Sequence, residues 1–170
     1  NTGALGHGWP IGVGMALAAK MDKKSYKTFV VMGDGEQGEG SIYEAAMAGS
    51  NYNLDNLVAI IDRNHLQISG NTEDVMKIDS VKDRWTAFGW DVVEINGDDI
   101  DEIVRTLDNI DFNNHKPHLI VSHTTQGYGV SYMENIAKWH HGMPNEEQYQ
   151  QAIAEIEERL IVLNPNHDSM

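Results

Sequence analysis

The stretch KTFVVMGDGEQGEGSIYEAAMAG, residues 27–49, runs from an apolar segment through a glycine-rich loop into an alanine-rich segment. Residues 28–32 are apolar and partly β-branched, which predicts a short buried strand. Residues 41–49 favour a helix, and Ser41 and Glu44 have the spacing of a capping box at its start. This order of strand, glycine loop and helix is typical of α/β proteins.

The alternation of strands and helices continues along the rest of the chain. Further strands are predicted at residues 56–62, 90–95 and 118–123, and helices at residues 9–21 and 99–110, after Ser80 and from about Asn145 onward. The strands are continuous apolar runs, which indicates a parallel sheet buried on both faces. We therefore predict an α/β fold in which a mostly parallel sheet has helices on both faces.

Apolar residues at helical spacing indicate which helix faces point into the core. The residues expected inside are Val81, Trp85 and Phe88; Ile100, Ile103, Val104, Leu107 and Ile110; and Tyr149, Ile153, Ile156 and Leu160. In the first helix, Gly12 and Gly14 lower the helix propensity, which indicates close packing or an approaching ligand there. Residues 161–170 are predicted to be a polar tail that frays at its end.

The bulk properties exclude several classes of protein. The chain has 170 residues, which fits one domain, and its formal charge of −14 disfavours binding to nucleic acid or to an anionic membrane surface. It contains no cysteine, so disulfides and thiolate chemistry are excluded. The sequence shows neither a signal peptide nor an apolar run that could cross a bilayer, and we expect a soluble cytoplasmic protein.

The glycine loop matches the pattern G-x-G-x-x-G, which in a dinucleotide-binding protein lays backbone amides against a diphosphate. Asp62 ends the next predicted strand and could accept a hydrogen bond from a ribose. However, Asp34, Glu36 and Glu39 lie in or beside the loop, and each would repel a bare diphosphate by a few kcal/mol at about 4 Å. A helix N-terminus returns only ~0.3–1 kcal/mol.

A divalent cation would remove this conflict of charge. Mg²⁺ takes carboxylate, amide and carbonyl oxygens together with diphosphate oxygens in octahedral geometry. Asp34 follows one strand and supplies a carboxylate, and Asn64 follows the next strand and supplies an amide oxygen. The backbone carbonyl of Leu66 is close enough in sequence to add a third ligand. The acidic loop then becomes a metal site that holds a diphosphate.

Several segments of the sequence resemble the motifs of a known family. GDGEQGEGSIYEAAMAG, followed by NHLQISG with its asparagine thirty positions after the aspartate, is similar to the thiamine diphosphate motif of transketolases. The similarity extends to TGALGHGWPIGVGMALA, DRWTAFGWDVVEINGDD and TTQGYGVSYMENIAKWHHGMP, and so covers residues 2–160. Other thiamine enzymes share the GDG…N core, but EGSIYEA and WHHGMP favour transketolase. The resemblance implies one thiamine diphosphate-binding (PP) domain at residues 2–160, incomplete at its N-terminus.

The resemblance also implies roles for individual residues around the cofactor. Asp34, Asn64 and the carbonyl of Leu66 would hold Mg²⁺, and Gly35 would lie against the diphosphate. Ile68 would pack near the cofactor rings. Two further residues lie in a loop that contacts the cofactor in this family, Gly3 and Leu5.

Catalytic roles are implied for His141 and Glu39. His141 in WHHGMP matches a histidine that reaches diphosphate and substrate oxygens, and its neighbour His140 fits this role less well. Glu39 and Glu44 match positions near the subunit interface, where carboxylates form a network between paired active sites. Glu44 could equally be the acceptor of the capping box. On the residues alone, Asp34 could cap a turn and His141 could be a solvated surface residue.

The activity implied is transfer of a two-carbon ketol unit between sugar phosphates, with thiamine diphosphate and Mg²⁺ as cofactors. No pyrimidine-binding domain follows in the sequence, so the resemblance is to the split type with a separate C-terminal subunit. We expect a dimer of such heterodimers, and catalysis only with the partner. The chain begins within a glycine-rich segment and is expected to be truncated, which would leave apolar surface exposed.

Departures from the family pattern keep two alternatives open. The family's upstream histidines are missing from the sequence, and lysines usual in the late glycine-rich loop are replaced by His123 and Gln126. One alternative is therefore a non-catalytic remnant that retains the motif without a complete site. The other is a dinucleotide-binding domain of the NAD type, which would need neither Mg²⁺ nor Asn64.

Overall fold

The computed structural model describes residues 3–163 and shows an α/β fold. The strands are β1 (Thr28–Gly33), β2 (Leu57–Arg63), β3 (Leu66–Gln67), β4 (Gly70–Asn71), β5 (Asp91–Asn96) and β6 (His118–His123). The helices are α1 (Gly8–Met21), α2 (Gly40–Asn51), α3 (Thr72–Val75), α4 (Val81–Ala87), α5 (Ile100–Asp108) and α6 (Glu146–Leu163). Single 3-10 turns are at Gly35–Gly38 and Ala137–His140.

Four strands form one parallel sheet in the order β1-β2-β6-β5, while β3 and β4 form a small antiparallel hairpin. Helices α1, α2 and α4 pack on one face of the sheet, and α5 packs on the other. Alternate residues of β2 serve the two faces, as the pleat requires: Ala59 and Ile61 join the first core, and Val58 joins the second. The predicted fold class is confirmed.

On the second face of the sheet, no helix of residues 3–163 covers β1. Phe29 and Val31 of β1 point to this face and are 50% and 68% exposed. Ile11 and Met15 of α1 are exposed beside them and border a common cleft with Phe29 and Val31. Helices therefore cover both faces of the inner strands β2 and β6, while an apolar patch remains open at the β1 edge.

Three expectations for the helices need correction. The predicted capping box is wrong, because α2 begins one residue earlier and the Ser41 hydroxyl instead donates to the Gly6 carbonyl at 2.8 Å. In α5, Asp99 caps the N-terminus through its side chain, but Ile100 and Val104 are exposed. The second core takes only one edge of that helix, namely Ile103, Leu107 and the following Ile110.

The face predicted for α6 is also wrong. Ala152 is the buried residue of this helix, while Tyr149, Ile156 and Leu160 are exposed. The reason is that other residues of α6 make its contacts with the chain: the Gln148 carbonyl accepts from Tyr132, Glu155 accepts hydrogen bonds from Ser131, and Arg159 lies over the Tyr128 ring. The helix continues to Leu163, and residues 164–170 of the predicted tail lie outside the described part of the chain. Within residues 3–163, every helix is too short or too polar to cross a bilayer.

The two glycines of α1 differ in their surroundings and give a matched pair of predictions. A Cβ at Gly12 would lie 2.4 Å from Val30 Cγ2, whereas a Cβ at Gly14 would meet open space. We expect Gly12→Ala to destabilise the protein by about 1–3 kcal/mol through overpacking. Gly14→Ala should stabilise it by roughly 0.5–1 kcal/mol because alanine favours the helix. Urea unfolding measures both, and equal effects of the two substitutions would contradict the packing of α1 on β1.

His118, the first residue of β6, is buried against Phe112 and gives a prediction about pH. Burial lowers the pKa of His118, although Asp91 at 3.5 Å acts in the opposite direction. The unfolded chain, with an ordinary histidine pKa of about 6.5, therefore binds a proton more readily than the folded chain does. Stability should fall as the pH falls below about 6.5, by up to ~1.4 kcal/mol per pH unit across that window.

Urea unfolding between pH 5 and 8 measures this dependence. In His118→Gln the fall below pH 6.5 should be smaller than in the wild-type protein, because the titrating group is gone. An identical pH dependence in the two proteins would show that His118 does not contribute to it.

Candidate functional site

A cavity of about 340 Å³ lies at the carboxyl ends of β1 and β2, where ligands bind in parallel α/β sheets. The N-terminal loop, the glycine loop after β1, the β3–β4 hairpin and the 3-10 turn at Ala137–His140 surround it. Its walls are formed by Leu5, Gly33, Asp34, Gly35, Glu36, Asp62, Asn64, Leu66, Gln67, Ile68, Ser69 and His140.

Asp34 is the buried carboxylate of this cavity and is only 2% exposed. Its Oδ2 accepts a hydrogen bond from Arg63 Nη1 at 2.9 Å and another from the Thr72 hydroxyl at 3.3 Å. Its other oxygen, Oδ1, is buried and has no partner at full hydrogen-bond geometry within the described part of the chain, although the backbone of His65 lies near enough to the carboxylate to act against the rise in its pKa. Burying a carboxylate oxygen without a partner costs free energy, so this oxygen indicates a binding site for a ligand.

Burial raises the pKa of Asp34, while the charge and hydrogen bond of Arg63 act in the opposite direction. For Arg63, burial disfavours the charged form, but Asp34 and Asp79 outweigh it and the pKa is raised. Arg63 therefore stays charged in the folded protein. A cation at Oδ1 would add to the effect of Arg63 and favour the ionised form of Asp34.

The side chain of Asn64 is fixed from two sides. Its Nδ2 donates to Asp62 Oδ2 at 3.3 Å, and its Oδ1 accepts from the backbone amide of Leu66 at 2.9 Å. The Oδ1 has a second lone pair, and Asn64 lines the same cavity as Asp34. Thr124, just after β6, donates to the other oxygen of Asp62. The ends of β2 and β6 are thus connected through one carboxylate.

The acids of the glycine loop have separate tasks. Asp34 is buried in an ion pair with Arg63, whereas Glu36 Oε1 accepts from the Gly6 amide at 2.9 Å and holds the N-terminal loop against the cavity. Glu39 precedes α2, is exposed and makes no capping hydrogen bond with its side chain. Only the first two therefore shape the cavity directly.

The other residues predicted from the sequence divide into two groups. Gly35, Ile68 and Leu5 line the cavity, and a Cβ at Gly35 would lie 3.2 Å from Gln67 Oε1, so the missing side chain leaves room for close approach to the backbone. Four others lie outside the cavity wall and are exposed, namely Gly3, Glu39, Glu44 and His141. The histidine that does line the cavity is His140, whose ring centre is 4.8 Å from that of His141.

Two functional candidates were not found from the sequence. Arg63 and Thr72 both hold Asp34, and both are buried, at 1% and 0% exposure. For Arg63, the signal in the sequence was a charged residue ending an otherwise apolar strand directly before Asn64. Thr72 gave no signal, because only the fold brings α3 back to the end of β1.

The oxygen atoms in this cavity fit a hard divalent cation that is bound together with a diphosphate. Asp34 Oδ1 and Asn64 Oδ1 are oxygen ligands of the kind that Mg²⁺ prefers, and Leu66 lines the same cavity. Within residues 3–163, no three histidine or carboxylate side chains come close enough to hold a metal by themselves. The remaining ligands would therefore have to come from the bound anion and water.

The geometry does not favour the dinucleotide alternative. That alternative needs a free carboxylate at Asp62 for a ribose, yet both oxygens of Asp62 accept hydrogen bonds, from Asn64 and Thr124. It also leaves the unpartnered oxygen of Asp34 without a purpose. A metal accounts for Asp34 and Asn64 together.

Comparison with known proteins points to one family. Residues 1–164 match the family described as "Transketolase, thiamine diphosphate binding domain". The chain is 71% identical over 160 residues to an apulose-4-phosphate transketolase subunit of Phocaeicola vulgatus. It is 40% identical over 157 residues to a 6-deoxy-6-sulfo-D-fructose transketolase subunit of Clostridium sp.. These matches cover 94% and 92% of the chain but 57% of each relative, so the chain spans little more than half of their length.

Solved structures give the same result. The fold superposes on transketolase from Campylobacter jejuni with a TM-score of 0.82 and 35% identity, covering 89% of this chain and 25% of that one. It superposes on a Pichia stipitis transketolase in complex with sedoheptulose 7-phosphate with a TM-score of 0.72 and 28% identity, covering 94% and 29%.

Proposed function

The chain belongs to the transketolase family through its thiamine diphosphate-binding domain, and from this premise we propose that it acts in a Mg²⁺-dependent transketolase as the N-terminal subunit. The single observation that carries the proposal is the buried, unpartnered Oδ1 of Asp34 beside the fixed amide of Asn64. The dependence on Mg²⁺ is supported by the types of these ligands.

Thiamine diphosphate, when bound, supplies the electron sink that allows a two-carbon ketol unit to leave one sugar and join another. The residues of this chain would bind and orient it. Asp34, Asn64 and the Leu66 carbonyl would hold the cation that neutralises the diphosphate. Gly35 would allow that diphosphate to approach the backbone, and Ile68, 63% exposed at the cavity, would offer an apolar surface to the rings.

The histidine pair would face the reacting sugar. We keep His141 as the proposed residue that reaches diphosphate and substrate oxygens, with His140 as the neighbour that lines the cavity. The segment that carries them is held by Trp139, whose Nε1 donates to the Tyr132 carbonyl at 2.8 Å. Glu39 is exposed and therefore accessible for the proposed contact with a second protomer.

A partner chain is part of the proposal. The relatives are named as subunits, which supports a second, C-terminal subunit that carries the pyrimidine domain. The apolar patch of Phe29, Val31, Ile11 and Met15 offers surface for further protein. We propose that residues 2–160 form the domain and that a dimer of heterodimers is the complete cytoplasmic enzyme.

The names of the relatives give a starting point for choosing which sugar substrates to test. The names of these relatives point to a ketose phosphate in one case and a sulfonated ketose in the other. Because the identity to the apulose-4-phosphate enzyme is 71%, apulose 4-phosphate is the first donor to test. We propose a phosphorylated ketose as donor and an aldose phosphate as acceptor.

The test is a reconstituted assay. The full-length protein is mixed with its C-terminal partner, thiamine diphosphate and Mg²⁺, and transfer of the two-carbon unit from apulose 4-phosphate is followed by chromatography. The proposal expects turnover only with both proteins and the cofactor. Cofactor binding without turnover of any ketose phosphate would support the non-catalytic alternative instead.

A further inference from the structure

We propose that Arg63 is a positioning residue that fixes the Asp34 carboxylate in the orientation required by the cation. This inference rests on the proposed function, since it assigns a new role at the same site. Arg63 is the last residue of β2, and its guanidinium contacts Asp34 and Glu73 without forming part of the cavity wall. Its task would be to orient Asp34 rather than to bind the cofactor.

The first argument is the unequal use of the two oxygens of Asp34. Arg63 Nη1 and the Thr72 hydroxyl both donate to Oδ2, at 2.9 and 3.3 Å. Two donors on one oxygen restrict rotation of the carboxylate and leave Oδ1 as the free ligand. Mg²⁺ requires near-ideal octahedral geometry, so a carboxylate fixed in advance binds it better than one that must first be ordered.

The second argument is the anchorage of Arg63 itself. Its Nη2 donates to Glu73 Oε1 at 2.8 Å and is paired with Asp79 Oδ2 at 3.0 Å. Glu73 in turn accepts from the Ile78 backbone amide at 3.3 Å. Both sides of the guanidinium are therefore held, and its position does not depend on Asp34 alone.

The third argument is charge. The positive charge of Arg63 is surrounded by three carboxylates, those of Asp34, Glu73 and Asp79. Acidic groups therefore outnumber the arginine in this cluster, so a divalent cation at Asp34 Oδ1 still meets a favourable field. The fork of an arginine can contact several carboxylates at fixed angles, which the single ammonium of a lysine cannot do.

The experiment measures the Mg²⁺ concentration at half-maximal thiamine diphosphate binding, by calorimetry, in the full-length protein assembled with its partner. Arg63→Lys keeps the charge but loses the fork, and we expect its midpoint to rise roughly tenfold or more, as for other residues that orient metal ligands. Thr72→Val removes the second donor with little change of shape, and its midpoint should rise by a smaller factor.

Asp55→Asn is the control. Asp55 is a buried carboxylate paired with Lys20 at 2.7 Å and contacts neither Arg63 nor Asp34, so this variant should lower the melting temperature of the ligand-free protein and leave the Mg²⁺ midpoint within about twofold of the wild type. If Arg63→Lys does not fold, Thr72→Val still tests the orientation of Asp34.

A wild-type midpoint in Arg63→Lys, or in Thr72→Val where the lysine variant does not fold, would overturn the positioning role. An equal rise in Asp55→Asn would overturn it too, because loss of any buried ion pair would then suffice. Failure of the wild-type protein to bind thiamine diphosphate with Mg²⁺ would instead refute the proposed function, and the inference with it.

Discussion

Asp34→Asn is expected to abolish Mg²⁺-dependent binding of thiamine diphosphate, with a loss of affinity of about 100-fold or more. Asparagine keeps the size of the side chain and can still accept a hydrogen bond from Arg63, but it removes the negative charge that the cation needs. Loss of an outer partner of a metal ligand costs about 10–100-fold, and loss of the charged ligand itself should cost at least as much. Calorimetric titration with the cofactor at fixed Mg²⁺ measures the effect.

Asp55→Asn is the matched control for this substitution. Asp55 is also a buried carboxylate, paired with Lys20 at 2.7 Å, but it precedes β2 and so lies at the opposite, amino end of the sheet. It should reduce stability and leave cofactor affinity unchanged. If both variants lose affinity to the same degree, the effect of Asp34→Asn reflects general damage to the fold.

Trp9→Ala is expected to destabilise the protein more than either glycine substitution in α1, by about 3–5 kcal/mol. Trp9 is fully buried, its ring centre lies 5.6 Å from that of Trp85 and 5.4 Å from that of Trp90, and its Nε1 donates to the Ile42 carbonyl at 3.1 Å. The substitution opens a cavity where α1, α2 and α4 meet. A thermal melt should show a fall in melting temperature on the order of 10 °C.

Trp139→Ala tests whether this loss depends on the core. Trp139 is only half-buried and packs on Tyr132 in the segment after β6, away from the three-tryptophan cluster. Trp139→Ala should lower the free energy of unfolding by less than half as much as Trp9→Ala does. Equal destabilisation by the two substitutions would contradict the description of α1 as a central element of the first core.

The strands of the parallel sheet were predictable from their apolar runs, whereas the short strands β3 and β4 of the hairpin were not. β6 matches its predicted range, and its residues up to Ser122 are buried, since an apolar run in an α/β protein has few alternatives to an inner parallel strand. The face of α6 was not predictable, because its periodicity shows which residues are apolar and not whether anything covers them. Ile156 and Leu160 satisfy the helical period and are nevertheless exposed.

The site was predictable where one residue follows the end of a strand, as for Asp34 and Asn64, because parallel strands bring their carboxyl ends to the same edge. It was not predictable where the chain returns from a distance. Thr72 contacts Asp34 although 38 positions of sequence separate them, and neither residue type nor spacing predicts that contact. The same limit applies to His140 and His141, since neighbours in a loop differ in direction and only the fold decides which lines the cavity.

The most direct test of the metal bridge is a calorimetric titration of the assembled wild-type protein with thiamine diphosphate, first with Mg²⁺ and then with EDTA. A cation that bridges Asp34 and the diphosphate predicts binding with Mg²⁺ and its loss after chelation, recovered when Mg²⁺ is restored. Binding of equal affinity under both conditions would contradict the bridge, and the acidic loop would then need another explanation.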